Sequence, residues 1–131
     1  IVDGEGPDFI VFENAFYPAG STPASVFAEP GEVSVSEDGV TWHTFPCDAD
    51  GDGQGVYAGC AGWRPTLKYD AQRVLPLDPS VTGGDPFDLA DLNLERARYV
   101  RIVDLSTSGG SANTGGFDLD AVGLVSYEPR P

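Results

Sequence analysis

The residues best placed to do chemistry are acidic. Asp48-Ala49-Asp50-Gly51-Asp52-Gly53 fits D-x-D-x-D-G, the first half of a calcium-binding loop. Alternating aspartates set oxygen donors around one point, and Gly53 permits the tight turn between them. Hard oxygen ligands suit Ca²⁺ over transition metals. The twelfth position of the pattern, where a bidentate Glu completes an EF-hand, is Gly59. The loop therefore needs a carboxylate from elsewhere or more water. Otherwise Asp48, Asp50 and Asp52 form a solvated acidic turn.

Cys47 and Cys60 enclose this loop and are the two cysteines of the chain. In an acidic, lysine-poor, turn-rich domain they read first as a secreted disulfide. Two free thiols are the alternative. A cysteine metal site lacks further soft ligands, because His43 is the one histidine. That histidine also leaves a Ser-His-Asp or Cys-His arrangement without support, and no enzyme is expected. A glycosidase carboxylate pair cannot be told apart from the general acidity. No Gly-rich loop follows a strand and opens a helix, so no phosphate cradle is expected.

Sugar binding needs exposed aromatics. Trp63 and Tyr57 in the cysteine loop and Tyr17 in a Pro-rich loop are the candidates. The alternative is that they cover the core. Trp42 is expected in the core, on a strand where Val40 and Thr44 share its face.

Short strands between turn clusters must position these residues. Gly (17) and Pro (11) together exceed a fifth of the 131 residues, which implies many turns and few long helices. The net charge of −14 argues against nucleic acid as a partner. No apolar run is long enough to span a membrane. Methionine is absent, so the sequence is expected to be a processed product or a piece of a longer one. One domain over residues 1–127 is expected, with 128–131 as a linker or tail.

Phe9–Phe12 reads as a strand buried on both faces. Glu32–Ser36, a turn at Glu37-Asp38-Gly39, and Val40–Phe45 read as a hairpin. Loops are expected at 17–31, 46–65, 76–87 and 106–116, with a short strand at Leu67-Lys68-Tyr69. Asp88 caps a helical turn through Leu92. Arg98–Val103 and Phe117–Tyr127 read as strands. The fold class is all-β, a sandwich.

Glu32–Trp42 resembles the hairpin of discoidin, or coagulation factor 5/8 type C, domains. Ala97–Ile102 resembles a later strand of the same galactose-binding-like jelly roll. The chain resembles a group of bacterial cell-surface proteins more closely. Val2–Phe9 with Phe12-Glu13-Asn14, Gly83–Leu89, and Gly116–Val122 carry that resemblance. It implies a jelly roll with long calcium- and disulfide-stabilised loops. It also implies a strand ahead of Ile1, missing from this sequence or supplied by a partner. First and last strands often neighbour each other in such a jelly roll. Asp3, Asp8, Glu13, Asn14, Asp85, Asp88, Asp118 and Asp120 could then converge, and clustered carboxylates repel unless a cation sits between them. The resemblance implies a structural Ca²⁺ in that region. The alternative is that Asp3, Asp85 and Asp88 only cap turns. Asp118 and Asp120 share one strand face.

The expected function is a non-catalytic, extracellular, calcium-stabilised module at the bacterial cell surface. It would bind carbohydrate or another surface polymer. The alternative is a self-associating structural subunit of a surface layer or filament. High negative charge suits either.

Overall fold

A computed structural model describes residues 1–20, 26–53, 55–67, 77–105 and 115–129. Six strands dominate: β1 (Phe9–Glu13), β2 (Gly31–Ser36), β3 (His43–Thr44), β4 (Asp85–Phe87), β5 (Tyr99–Asp104) and β6 (Leu119–Leu124). Among the described residues helical structure is confined to α1 (Pro79–Thr82) and a 3₁₀ turn (Leu89–Leu92). Among the described residues no helix is long and apolar enough to cross a membrane.

The strands form two antiparallel sheets of three, ordered β4-β1-β6 and β3-β2-β5. They face each other across one core, in the manner of a sandwich. Alternation decides who enters it. Phe9 and Val11 point inward from β1, Val33 and Val35 from β2, and Val100 and Ile102 from β5. Phe45, Phe87, Leu89 and Ala97 fill the space between. The Phe9 and Phe87 rings stack at 5.2 Å, and Phe45 meets both edge-on.

The hairpin forms, but its return strand is shorter than expected. Only His43 and Thr44 pair with β2, opposite Val35 and Ser34. The Asp38 carboxylate organises the turn instead. It accepts hydrogen bonds from the Val40 and Thr41 N–H groups, both at 2.7 Å, and from the Ser36 hydroxyl. These bonds hold its pKa down, to about 2. Because the strand starts at His43, alternation does not extend back to Val40, which is 81% exposed. Trp42 is therefore not in the core cluster. It is half-buried, and the Arg101 guanidinium lies 4.3 Å from its ring. Phe45 takes the core position.

Asp88 caps the 3₁₀ turn as expected, accepting from Ala90 N–H, and Asn93 ends it in the left-handed conformation. Two elements fall inside the stretch expected to be a loop. Asp78 caps α1 with Pro79 at its start, and β4 pairs with β1. Pro86 is tolerated in β4 because β4 is an edge strand. Lys68 and Tyr69 of the strand expected at Leu67-Lys68-Tyr69, most of the loop at 106–116, and the end of the 128–131 tail lie outside the described residues. Thr66 pairs with Gly83 as an isolated bridge.

Candidate functional site

The acidic residues separate into four places. The first is the loop enclosed by the disulfide, where Cys47 and Cys60 are bonded with Cα atoms 4.7 Å apart. In the chain-entropy model, closing a loop of this size contributes about 3 kcal/mol. Asp48, Asp50 and Asp52 are all exposed here. Asp52 Oδ1 accepts from Val56 N–H at 3.1 Å, which commits it to the turn. The loop aspartates do not form a converging carboxylate group. Tyr57 packs its ring against Gly51, which takes a positive φ of 61° and has no side chain to obstruct the contact.

The second place is the start of β1. Oxygen atoms of Asp3, Asp8 and Asp88 lie within 4.8 Å of one another. This brings together three of the carboxylates picked out by sequence. Asp8 is fully buried, and both its oxygens are occupied: Oδ1 accepts from Gly4 N–H and Oδ2 from Leu89 N–H, each at 2.8 Å. Asp88 spends Oδ1 on its cap. The trio could hold a cation, and Asp8 and Asp88 already accept hydrogen bonds from backbone N–H groups.

The third place is Asp85, which the structure parts from that trio. It is buried, and its Oδ2 accepts from the N–H groups of Gly62, Trp63 and Arg64 at 2.8, 3.2 and 3.5 Å. Oδ1 has no hydrogen bond and lies 4.0 Å from Arg64 Nε. Burial pushes the carboxyl up to about 7, against the pull of the three N–H groups and Arg64. Asp85 thus anchors the backbone beside Trp63. Trp63 is half-buried, with the Arg64 guanidinium 4.7 Å from its ring centre. It is not the open platform expected.

The fourth place is the end of β1. Glu13 is 3% exposed and Glu29 9% exposed, yet among the described residues both Glu13 oxygens and Glu29 Oε1 lack a hydrogen-bond partner. Burial pushes Glu13 up to about 7 and Glu29 upward as well. The N–H groups of Asn14 and Asp118 pull Glu13 back in part, although neither closes a hydrogen bond onto it. Glu29, Asp104 and Asp118 are near enough to repel one another. Asp120, on β6, is exposed. Sequence reasoning found Glu13 and Asp118 but missed Glu29 and Asp104. Glu29 sits two residues before Gly31, in step with the inward row Val33 and Val35, and Asp104 is in step with Val100 and Ile102. That period-2 signal was available in the sequence.

Two further surfaces lie apart from these carboxylates. His43 is exposed and lines an open groove of about 550 Å³ with Glu37, Asp38, Thr41, Asn93, Leu94, Glu95 and Arg96. Tyr17 is exposed and follows Phe16, whose ring stacks on Phe27 at 5.1 Å. Phe16 and Phe27 exchange backbone hydrogen bonds, and are 46% and 37% exposed. Comparison with family models, curated proteins and solved structures finds no match, so the site is defined by its own geometry.

Proposed function

We propose that the chain is a non-catalytic, extracellular module of the galactose-binding-like jelly-roll type, supported by calcium, that binds carbohydrate at the bacterial cell surface. The observation that carries this reading is the exposed aromatic surface of Phe16, Phe27 and Tyr17. A stacked, backbone-tied pair of rings costs little entropy to present, and sugar C–H faces pack on such rings. Soluble domains normally turn rings of this size into the core.

The test is a glycan array followed by titration calorimetry with the glycan found. Phe16→Ala and Phe27→Ala should each weaken binding about tenfold. Their melting temperatures should stay close to that of the unaltered chain. Absence of any glycan ligand, or binding unchanged in both variants, would overturn the carbohydrate reading.

A structural role in a surface layer or filament is the second reading. It is favoured by Val103 on β5 and Leu119 and Leu124 on β6, large apolar residues exposed on the last strand of each sheet. Concentration-dependent assembly in sedimentation experiments would select it.

A further inference from the structure

We infer that Glu13 and Glu29, with Asp104 and Asp118 beside them, form a divalent-cation site that clasps the two sheets at one end of the core. The donor set is all carboxylate oxygen, which fits Ca²⁺. This deepens the calcium part of the proposed function and is independent of the carbohydrate part.

Strand alternation brings the acids together. The inward row of β1 runs Phe9, Val11, Glu13, and all three are buried. On the facing sheet, the row Val35, Val33, Gly31 leads back to buried Glu29. In the neighbouring strand, Val100 and Ile102 lead to Asp104, which pairs with Gly31. Each of these apolar rows therefore runs into an acid at the same end of the sandwich. The fourth carboxylate comes from the segment leading into β6. Asp118 precedes Leu119, and Leu119 pairs with Glu13 across a register shift. The four acids thus come from both sheets.

Proximity alone would not make this a site. The second observation is that buried carboxylate oxygens here have no partner: both of Glu13 and one of Glu29. An ionised carboxylate taken out of water without a partner is expensive, and two facing each other are more so. Asp8 shows that this fold can supply backbone N–H groups to a buried carboxylate where one is structural. Among the described residues no such bond closes onto either oxygen of Glu13 or onto Glu29 Oε1. A divalent cation between the two glutamates offsets both charges and occupies the idle oxygens. Asp118 is exposed and Asp104 partly so, which places them on the solvent side of the pair. The Asp3/Asp8/Asp88 oxygens are more closely gathered. Closing a shell around Glu13 requires Asp118 to turn inward, a movement that an exposed side chain can make.

The test titrates the chelated full chain with Ca²⁺, and separately with Mg²⁺, at pH 7.5, by calorimetry and thermal melts. The unaltered chain should bind Ca²⁺ and gain about 8 °C in melting temperature at a hundredfold excess over Kd. Glu13→Gln and Glu29→Gln should remove most of that gain. Asp118→Asn, at an exposed position and safe for folding, should weaken Ca²⁺ binding about tenfold. Asp88→Asn should leave the response intact. A full Ca²⁺ response in the Glu29→Gln and Asp118→Asn variants would overturn the site. If Asp88→Asn alone abolishes the response, calcium support stands and this location falls. No response to either cation in the unaltered chain would overturn both, leaving protons to neutralise the two glutamates.

Discussion

Strand β1 has a buried carboxylate at each end, and the two have opposite surroundings. Asp8, just before the strand, has both oxygens hydrogen-bonded to backbone N–H groups. Glu13, its last residue, has neither. Asp85, on the adjacent strand, stands between them, with one oxygen bonded to three N–H groups and the other bare beside Arg64. Burial is near complete in all three. Burial therefore does not separate an architectural acid from one poised for a ligand; the fraction of its oxygens that the chain itself satisfies does.

The harshest test of that ordering is Asp8→Ala. Two N–H groups, the buried one of Leu89 and the more open one of Gly4, would lose their acceptor, and the start of β1 would lose its tie to the 3₁₀ turn. A loss of about 3–5 kcal/mol is expected in denaturant melts. A loss below about 1 kcal/mol would break the comparison at its satisfied end.

Asp85 should show an intermediate signature, read in pH. Its folded pKa of about 7 lies above the ordinary 3.8, so the folded state holds a proton that the unfolded state has released. Without divalent cations, stability should therefore fall as pH rises from about 4 to about 7, and level off above that. The contribution is on the order of 4 kcal/mol. Asp85→Asn should flatten that part of the curve, leaving the component from Glu13 and Glu29. Melts at pH 5 and pH 8 decide it, and an unchanged slope in the variant would remove Asp85 from the middle rank.

Glu13→Gln should have the smallest effect in chelator. No hydrogen bond is lost, and the amide needs no charge desolvated. A change within about 1 kcal/mol, of either sign, is expected. A loss as large as that of Asp8→Ala would mean that the Glu13 carboxylate is architectural after all.

Much of the frame was legible in the sequence because it rests on short-range signals. Glu32–Ser36 alternates cleanly, Asp88 precedes an apolar turn, and Cys47 and Cys60 had one available pairing. What was missed depends on longer-range geometry. Gly83-Gly84-Asp85-Pro86 reads as a turn, and only the place of β4 at a sheet edge makes Pro86 acceptable in a strand. Trp42 was expected inside because alternation was carried through residues that Asp38 holds in a turn. The acidic residues were expected in one region, but β1 is long enough to keep Asp8 and Glu13 apart. Glu29 was overlooked because it lies before the regular strand, in a stretch rich in Pro and Gly, although it keeps the strand's phase.

Gly31 makes the acidic end intolerant of added bulk. It exchanges hydrogen bonds with Ala61, next to the disulfide, and pairs with Asp104. A Cβ placed there would stand 2.7 Å from Ile102 Cγ2 and 2.8 Å from the Phe117 ring. The ring must move to admit even one methyl group, and the next residue along is Asp118. Gly31 thus works as a size gauge two residues from Glu29: alanine in its place would be felt as displaced charge at the sandwich end before it was felt as a broken strand.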